Sequence, residues 1–172
     1  MQKKFKLTNE TKTHFGTTLH RIKALVSFGD VCKGDKGGFV ETDANLSHNG
    51  NAWVCGNAEV YGDAEVYGNA EVCGGAEVYG NAKVCGNAEV CGNAKVYGDA
   101  EVSITPTCIF GLMWSVVISD KHISIGCQTR TLSFWKRASK KTIAAMDRNA
   151  TIFWEDNKAA IILLATKHQS ST

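Results

Sequence analysis

Small and hydrophobic residues recur at intervals of six along the middle of the chain. Valine stands at every sixth position from Val54 to Val102, and an alanine stands two residues before each valine. In the unit that ends at Val60, strand alternation points Ala58 and Val60 to one side and Glu59 to the other. The tripeptide that follows, Tyr-Gly-Asp, tolerates the backbone angles of a tight corner. Each unit is therefore predicted to be one short strand followed by one corner.

Strands of this length cannot stand alone, so successive coils must stack and bury a continuous core. A fixed six-residue period predicts a parallel β-helix, and it excludes an amphipathic helix. The repeat V-x-G-[ND]-A-x resembles the hexapeptide-repeat family from Val40 to about Ser103. The resemblance implies a left-handed parallel β-helix with three hexapeptides in each triangular coil.

Three hexapeptides per coil place residues 18 positions apart in one column, and the sequence allows a test of this spacing. Three columns result: Cys55, Cys73 and Cys91; Tyr61, Tyr79 and Tyr97; Tyr67, Cys85 and Ser103. Two of the three are uniform in residue type. Packing or duplication of an 18-residue unit accounts equally well for this uniformity, and either origin favours three hexapeptides per coil.

Charged positions form columns on the same spacing, with strands about 4.8 Å apart. Glu65, Lys83 and Glu101 alternate in sign. The other charged columns are Asp63, Asn81 and Asp99; Trp53, Glu71 and Glu89; Glu59, Glu77 and Lys95. Adjacent glutamates in the last two columns are expected to leave those faces acidic.

The repeat extends upstream through Val40, Ala44 and Leu46, but Val54 follows Leu46 by eight positions instead of six. Two extra residues in the segment SHNGN are therefore predicted to bulge from a corner. The predicted fold class is mainly β, with three to four triangular coils. Three regions are expected: an N-terminal β cap at 1–39, the hexapeptide-repeat β-helix at 40–103, and a C-terminal α+β cap with a helical end at 104–172.

Both flanking regions are expected to cover the open ends of the β-helix, because unpaired edges promote aggregation. Apolar residues alternate with other residues from Arg21 to Phe28, which predicts a strand. The segments CIFGLMWSVVISD and HISIGC read as two more strands. Trp135 and Trp154 are expected to be large packing residues.

A helical region is predicted from Ser139, its candidate N-cap, with a break near Asp156 or Asn157. Apolar residues with helical spacing are expected to cover the last coil: Ile143, Met146, Ala150, Phe153, Ala160, Ile161 and Leu164.

The order of segments along nearly the whole chain resembles hexapeptide-repeat proteins of bacteriophages and prophages. The segments LHRIKAL, NLSHNGNAWV and HISIGC carry this resemblance together with the repeat. It implies a phage setting, and it implies no particular enzymatic activity.

The net charge of +2 conceals an acidic middle between two basic ends. Lys and Arg outnumber Asp and Glu by eight to three in residues 1–39 and by nine to four in residues 103–172. Residues 40–102 contain only two Lys and no Arg, against ten Asp and Glu. The start of the chain has no apolar run of a secretory signal, and no apolar stretch reaches the length of a membrane span. The sequence therefore predicts a cytoplasmic protein of a bacterial host cell without membrane contact.

Seven cysteines in a reducing compartment are expected to be free thiols. The column of Cys55, Cys73 and Cys91 is compatible with either orientation, into the β-helix or outward. The chain contains no CxxC or HxxxH motif, so neither a metal nor a cofactor is predicted.

An acyltransferase relative is the main enzymatic alternative, because many hexapeptide-repeat proteins use a histidine as general base with acetyl-CoA or acyl carrier protein. His48 in the bulge is the candidate base, and a surface turn histidine is the favoured interpretation. His122 and Cys127 suggest a base and a nucleophile, although a packed thiol and a surface imidazole explain them more simply. No catalytic residue is assigned.

A cluster of cations at Lys136, Arg137, Lys140 and Lys141, beside Phe134 and Trp135, forms a candidate basic patch for nucleic-acid phosphate and base stacking. A solvated helix face is the favoured interpretation of the patch. The basic ends are also able to meet the acidic rods of other copies, which predicts a homo-oligomer or a self-assembling structural protein.

The functional prediction is a non-enzymatic binding protein that engages a host protein through its acidic β-helix. Regularly spaced carboxylates on a stiff rod are able to imitate the charge line of DNA, so an inhibitor of a host defence or nucleic-acid enzyme is one form of this prediction. Charge needed only for solubility is the simpler alternative. The candidate interaction surface consists of Glu59, Glu71, Glu77, Glu89, Tyr61, Tyr79 and Tyr97.

Overall fold

The structure, a computed structural model, describes residues 2–170. The chain divides into two compact units, Met1–Thr105 and Pro106–Thr172. The first unit is built of strands, and the second combines strands with helices.

The first unit opens with a long antiparallel hairpin made of β1 (Phe5–His14) and β2 (Thr17–Ala24). Its turn places Phe15 and Gly16 at positive φ. A third strand, β3 (Lys36–Val40), pairs antiparallel with β2. The alternation in the sequence predicts β2 only in part, because the strand ends at Ala24 and does not continue to Phe28.

Nine two-residue strands between residues 53 and 102 each end in a repeat valine. They are β4 (Trp53–Val54), β5 (Glu59–Val60), β6 (Glu65–Val66), β7 (Glu71–Val72), β8 (Glu77–Val78), β9 (Lys83–Val84), β10 (Glu89–Val90), β11 (Lys95–Val96) and β12 (Glu101–Val102).

These strands stack into three parallel sheets that form a β-solenoid of about four turns. The first sheet continues the hairpin in the order β1-β2-β3-β5-β8-β11, the second is β4-β7-β10, and the third is β6-β9-β12. Val60 pairs with Val78, and Val78 with Val96, so paired residues lie 18 positions apart. The predicted spacing of three hexapeptides per coil is confirmed.

The first turn is longer than the others. Val40 pairs with Val60, and Leu46 bridges to Val66, so in both cases the separation is 20 residues. A short 3₁₀ helix, Asp43–Asn45, lies in this turn. The two-residue insertion predicted before Val54 is confirmed by these registers.

The interior of the β-solenoid is filled by the alanine and valine of each repeat, and the residues between them face outward. From Ala58 to Val90 these alanines and valines are at most 1% exposed. Glycines make the corners; Gly68 has a φ of +73°, and a Cβ there would lie 3.2 Å from backbone atoms of Gly86 in the next coil. A side chain would strain both the backbone angle and the stacking of coils.

Buried polar side chains donate hydrogen bonds to backbone carbonyls at the open N-terminal edge of the β-solenoid. Each coil donates its N–H groups to carbonyls of the next coil. Carbonyls at the N-terminal edge have no complete preceding coil to donate to them. The Lys4 amine donates to the Ala52 carbonyl at 2.7 Å, and the Asn45 amide donates to Gly62 and Ala64 carbonyls, each at 2.9 Å. Edge protection thus comes in part from Lys4, which precedes the repeat, and from Asn45 in the first turn.

The second unit begins with a four-stranded antiparallel sheet and ends with three α-helices. The strands are β13 (Thr107–Ile109), β14 (Val116–Ile118), β15 (His122–Ile125) and β16 (Gln128–Thr131), and the helices are α1 (Leu132–Arg137), α2 (Lys140–Ala144) and α3 (Ala150–Gln169).

The sequence predicts this unit only in outline. The two expected strand regions fold as three strands, and β16 is an addition. Ser139 is the N-cap of α2, because its hydroxyl accepts a hydrogen bond from the Thr142 N–H at 3.1 Å. The predicted break at Asp156 or Asn157 is wrong: α3 runs through both residues, and the interruption lies between Ala144 and Ala150.

The core of the second unit lies between the sheet and the helices. Trp135 and Trp154 are buried with ring centroids 5.1 Å apart, which confirms their predicted packing role. Ile143 and Phe153 are buried in the same cluster as β14 and β15. These helical residues were expected to cover the last coil of the β-solenoid. Their burial is instead explained by packing against the sheet of their own unit. Leu164, expected on that face, is exposed.

Candidate functional site

The three tyrosines of the candidate interaction surface form a stacked ladder on one outer corner of the β-solenoid. The Tyr61 and Tyr79 rings lie 5.1 Å apart and nearly parallel, and the Tyr79 and Tyr97 rings lie 5.2 Å apart. All three are half-buried. The His14 ring contacts Tyr61 at 5.2 Å, so the hairpin covers the first ring of the ladder. Burial raises the pKa of the Tyr61 hydroxyl.

Two glutamates of the candidate surface are engaged by the N-terminal hairpin and by the coils. Glu59 lies 2.5 Å from the Lys12 amine and 3.0 Å from His14 Nδ1. Glu77 lies 2.7 Å from the Lys95 amine, in the next coil. Their side chains are only 14% and 16% exposed. The first sheet therefore does not present an open acidic face.

The second sheet places Glu71 and Glu89 in a different environment. The two residues pair directly across β7 and β10, and both are exposed. Within residues 2–170 neither carboxylate forms an ion pair with a lysine, arginine or histidine. Below them, Trp53 occupies the same column and is buried. The acidic face of the β-solenoid is thus narrower than the sequence suggests.

The third sheet mixes charges, as the sequence predicts. Glu65, Lys83 and Glu101 pair across β6, β9 and β12, with 3.8 Å between the Lys83 amine and Glu65. On the adjoining corner the Asn81 amide donates to Asp99 at 2.9 Å. Lys83 offsets one of the two glutamates of this sheet, so the sheet is only weakly acidic.

A column of thiols runs beside Glu71 and Glu89. Cys55 and Cys73 are half-buried and Cys91 is exposed, so the column lies on the outside of the β-solenoid. The Cys55 thiol donates to Glu71 Oε1 at 3.3 Å. Burial, reinforced by Glu71, raises the pKa of Cys55 to about 12, and burial also raises the pKa of Cys73. We refer to Cys55, Cys73, Cys91, Glu71 and Glu89 as the Glu–Cys strip.

The loop before β3 forms one bank of an open groove along this strip. Asp30 and Asp35 line the groove opposite Cys55 and Glu71, and Asn69 adds a polar side chain. The groove lies wholly within the first unit. Its lining also includes the Lys36 amine, but the carboxylates, amides and thiol outnumber this single cation and are able to bind a metal ion.

The Cys55 thiol predicts a specific dependence of stability on alkaline pH. Its pKa is about 12 in the folded chain against an ordinary value near 9, so only the unfolded chain ionises the thiol between these values. We expect the free energy of unfolding to fall over this interval, and the fall to be shallower in Cys55→Ala. Urea titrations at a series of pH values measure both slopes.

The matched control for this prediction is Cys127→Ala, an exposed thiol of the second unit. Lys4 contributes with the opposite sign, because burial lowers its pKa from 10.5 to about 8 and stability rises with pH in that interval. Both proteins contain Lys4, so its contribution cancels when the free energies of unfolding of wild type and Cys55→Ala are subtracted at each pH. Identical slopes in the two proteins would contradict the prediction.

His48, the candidate general base, has a structural environment. Its Nε2 lies 2.9 Å from Asp43, and its Nδ1 accepts a hydrogen bond from the Lys4 backbone N–H at 3.2 Å. Its ring stacks on Phe5 with centroids 4.3 Å apart. Nδ1 therefore attaches the start of β1 to the first turn, and the contact with Asp43 holds the ring within that turn.

The structure places His122 and Cys127 at opposite ends of one strand. His122 is the first residue of β15, and Cys127 lies in the turn between β15 and β16. Their separation along an extended strand is on the order of 15 Å. The two residues are not brought together as a base and a nucleophile.

The four cations of the basic patch are exposed around the junction of α1 and α2. Lys140 pairs with Glu155 at 2.8 Å. Trp135, proposed as a stacking partner for bases, is buried, and its indole N–H donates to the Ile123 carbonyl at 3.0 Å. Only Phe134 remains near the surface, so the aromatic half of the predicted nucleic-acid site is largely absent from the patch.

Sequence reasoning missed an apolar pocket in the second unit. Its lining includes Trp114, Met146, Asp147, Phe153 and Trp154. The sequence carried a partial signal, because three of the four tryptophans lie after residue 103. Their convergence depends on the packing of the helices on the sheet, which local patterns do not reveal.

A scan against protein-family models finds no match, and a search of curated proteins likewise finds no relative of this chain.

None of the helices within residues 2–170 combines the length and the apolar character needed to cross a membrane.

Proposed function

We propose that this chain is a non-enzymatic, phage-type binding protein whose β-solenoid engages a basic surface of a host protein through the Glu–Cys strip. One observation carries the proposal. Glu71 and Glu89 are exposed side by side without an ion pair in the described residues, whereas Glu59, Glu77 and Glu65 each face a cation. Carboxylates that the fold leaves without a cation are available to a basic partner.

Rigidity supports the proposal. Glu71 belongs to β7, which pairs with β4 on one side and β10 on the other. Glu89 belongs to the edge strand β10, which pairs with β7, and its N–H donates to the Thr105 hydroxyl at 3.1 Å. Both Cα positions are therefore fixed before binding. This chain therefore loses little conformational entropy when the Glu–Cys strip binds a partner. Paired strands are about 4.8 Å apart, and the carboxylates present a short line of negative charge at that spacing.

The partner class that fits this charge line is a protein with a groove for nucleic acid. Such grooves are lined by lysine and arginine. These cations bind a line of carboxylates as they bind the phosphates of nucleic acid. An inhibitor of a host defence or nucleic-acid enzyme, acting in the cytoplasm of the bacterial host, is the specific form of the proposal. The short length of the line limits mimicry to a small part of a DNA strand.

The other residues of the candidate surface have supporting roles in this proposal. Glu59 holds Lys12 and His14 of β1, which ties the hairpin to the coils. Tyr79 and Tyr97 flank the solenoid as stacked, half-buried rings. No cofactor takes part. Self-association through the basic residues of other copies is a further proposal, tested by the same experiment.

Reversing the charge of the strip is expected to abolish partner binding. The variant Glu71→Lys/Glu89→Lys replaces two unpaired carboxylates with amines, and we expect capture of the partner to fall by about tenfold or more, equivalent to ~1.4 kcal/mol. The measurement is a pull-down of tagged protein from bacterial lysate at low and high salt, with chelator present, followed by mass spectrometry.

The matched control is Glu65→Lys/Glu101→Lys, which makes the same charge change on the third sheet. A nucleic-acid enzyme captured by wild type and control, but not by the strip variant, supports the proposal. Equal capture by both variants would overturn it. If wild type captures only its own copies, self-assembly replaces host binding as the function.

A further inference from the structure

The Glu–Cys strip contains a cluster of metal-ligating atoms that no local sequence motif announces. The Sγ atoms of Cys55 and Cys73 and a carboxylate oxygen of Glu71 all lie within 4.8 Å of one another. The Cys55 Sγ is 3.3 Å from Glu71 Oε1. We propose that Cys55, Glu71 and Cys73 bind a thiophilic divalent cation, with Zn²⁺ as the expected ion.

The parallel register brings these residues together. Trp53 pairs with Glu71 and Val54 with Val72, so Cys55 and Cys73 follow the paired strands at equivalent positions. The Cys55 N–H donates to the Val72 carbonyl at 2.8 Å, which fixes the two coils beside the cluster. The ligands therefore lie 16 and 18 residues apart, a separation set by one coil of the solenoid.

The distances suit tetrahedral coordination without movement of the backbone. With Zn–S near 2.3 Å and Zn–O near 2.0 Å, two ligands of one tetrahedral ion lie about 3.5 to 3.8 Å apart. The contact between Cys55 and Glu71 is already 3.3 Å. The remaining pairs of ligand atoms lie within 4.8 Å, so each is at most about 1 Å beyond the separation that the ion requires.

The donor set selects the ion. Two thiolates and one carboxylate favour Zn²⁺ and exclude Mg²⁺ and Ca²⁺, which prefer oxygen ligands alone. Three protein ligands leave a fourth position for water or for an added ligand, in a groove that also contains Asp30 and Asp35.

Proton release accompanies binding. Cys55 donates its thiol hydrogen to Glu71 in the absence of metal, so an ion displaces this hydrogen bond. Both coordinating thiols lose their protons to solvent, and the bound ion then carries two thiolates and one carboxylate. The apparent affinity should therefore rise with pH.

The site would link the first and second coils, and it goes beyond the proposed function. A cation bridging Cys55 and Cys73 adds a connection between β4 and β7, two strands of only two residues each. Both proposals use Glu71, but the pull-down contains chelator and the cobalt titration contains no partner, so the two tests can fail independently.

Cobalt substitution tests the site directly. Reduced, metal-free protein is titrated with Co²⁺, and we expect one equivalent to produce thiolate-to-cobalt charge-transfer absorption and the visible bands of a tetrahedral ion. Zn²⁺ should displace the cobalt and raise the melting temperature. The variant Cys73→Ser should lose the charge-transfer band, and Glu71→Gln should bind at least tenfold more weakly.

Two control variants make the assignment specific. Cys127→Ser removes an exposed thiol of the second unit, and Cys91→Ser removes the next thiol of the same column; both should retain the band. Circular dichroism confirms that each variant is folded. Absence of the band in wild type, its persistence in Cys73→Ser, or its loss in Cys91→Ser would each overturn the proposed site.

Discussion

Replacing Val84 by aspartate is expected to abolish the cooperative unfolding transition of the β-solenoid. Val84 is fully buried, between Val66 in the preceding coil and Val102 in the following one. An aspartate there has only aliphatic side chains as neighbours within the column. It must either ionise without a partner or remain protonated, and both cost free energy.

The magnitude follows from the small stability of single domains. An unpaired buried carboxylate costs several kcal/mol, and the loss of valine packing adds to that cost, against a total stability of about 5–15 kcal/mol. We therefore expect Val84→Asp to leave the first unit unfolded at neutral pH. The β-sheet signal in circular dichroism and the urea transition measure this result.

The preceding residue provides the control. Lys83 belongs to the same strand, but its side chain faces outward and is half exposed. Lys83→Ala should change the free energy of unfolding by less than about 1 kcal/mol, because a surface ion pair contributes little. A Val84→Asp protein with an unchanged urea midpoint would show that the valine column does not form the core.

The repeat was predictable because one short-range rule acts many times. Strand alternation decides the direction of Ala58, Glu59 and Val60, and the same triplet recurs at a fixed interval. The identity of Tyr61, Tyr79 and Tyr97 adds the coil length, since equal side chains at 18 residues stack as rings. Local geometry and periodicity together determine this part of the fold.

The neighbours of the acidic face were not predictable in the same way. Strand β1 is mostly polar, so its sequence shows no apolar alternation, yet Lys12 and His14 lie on Glu59. Their position depends on the register of a hairpin with a bulge between Leu7 and Thr11. A column of acids read from the sequence alone therefore overestimates the open acidic surface.

The candidate metal site was missed for a related reason. Short motifs such as CxxC detect ligands that are close in sequence, whereas Cys55, Glu71 and Cys73 meet only after one full coil. The 18-residue spacing already placed Cys55 over Cys73, but the position of Glu71 beside both thiols required the direction of the side chains. In a solenoid, ligands one coil apart in sequence lie as close in space as the ligands of a short motif.

The C-terminal helices show where periodicity fails. Helical spacing continues from Ile143 to Leu164, but the chain is not one helix with a break in its second half. Asp147 accepts a hydrogen bond from the Asn149 N–H at 2.8 Å, a local turn that separates α2 from α3. Helix α3 continues across Asp156 and Asn157 because both tolerate helix interiors when their side chains reach solvent or the preceding turn.

Trp135→Ala is expected to destabilise the second unit by about 3–5 kcal/mol, the range for removal of a large buried aromatic ring. Trp135 is 2% exposed and packs on Trp154 with 5.1 Å between ring centroids. The change also leaves the Ile123 carbonyl without its indole donor inside the core. Because the α-helices of residues 2–170 all lie in this unit, the helical circular dichroism signal during urea unfolding measures the loss.

Two controls separate packing from hydrogen bonding. Trp135→Phe retains an aromatic ring against Trp154 but removes the donor to Ile123, so we expect a smaller loss of about 1–2 kcal/mol. Lys136→Ala changes the adjacent exposed residue of α1 and should alter stability by less than about 0.5 kcal/mol. Equal stability of Trp135→Ala and wild type would contradict the assigned core. A lowered urea midpoint in Trp135→Ala, with Lys136→Ala unchanged, would identify the tryptophan pair as the packing centre between the sheet and the helices.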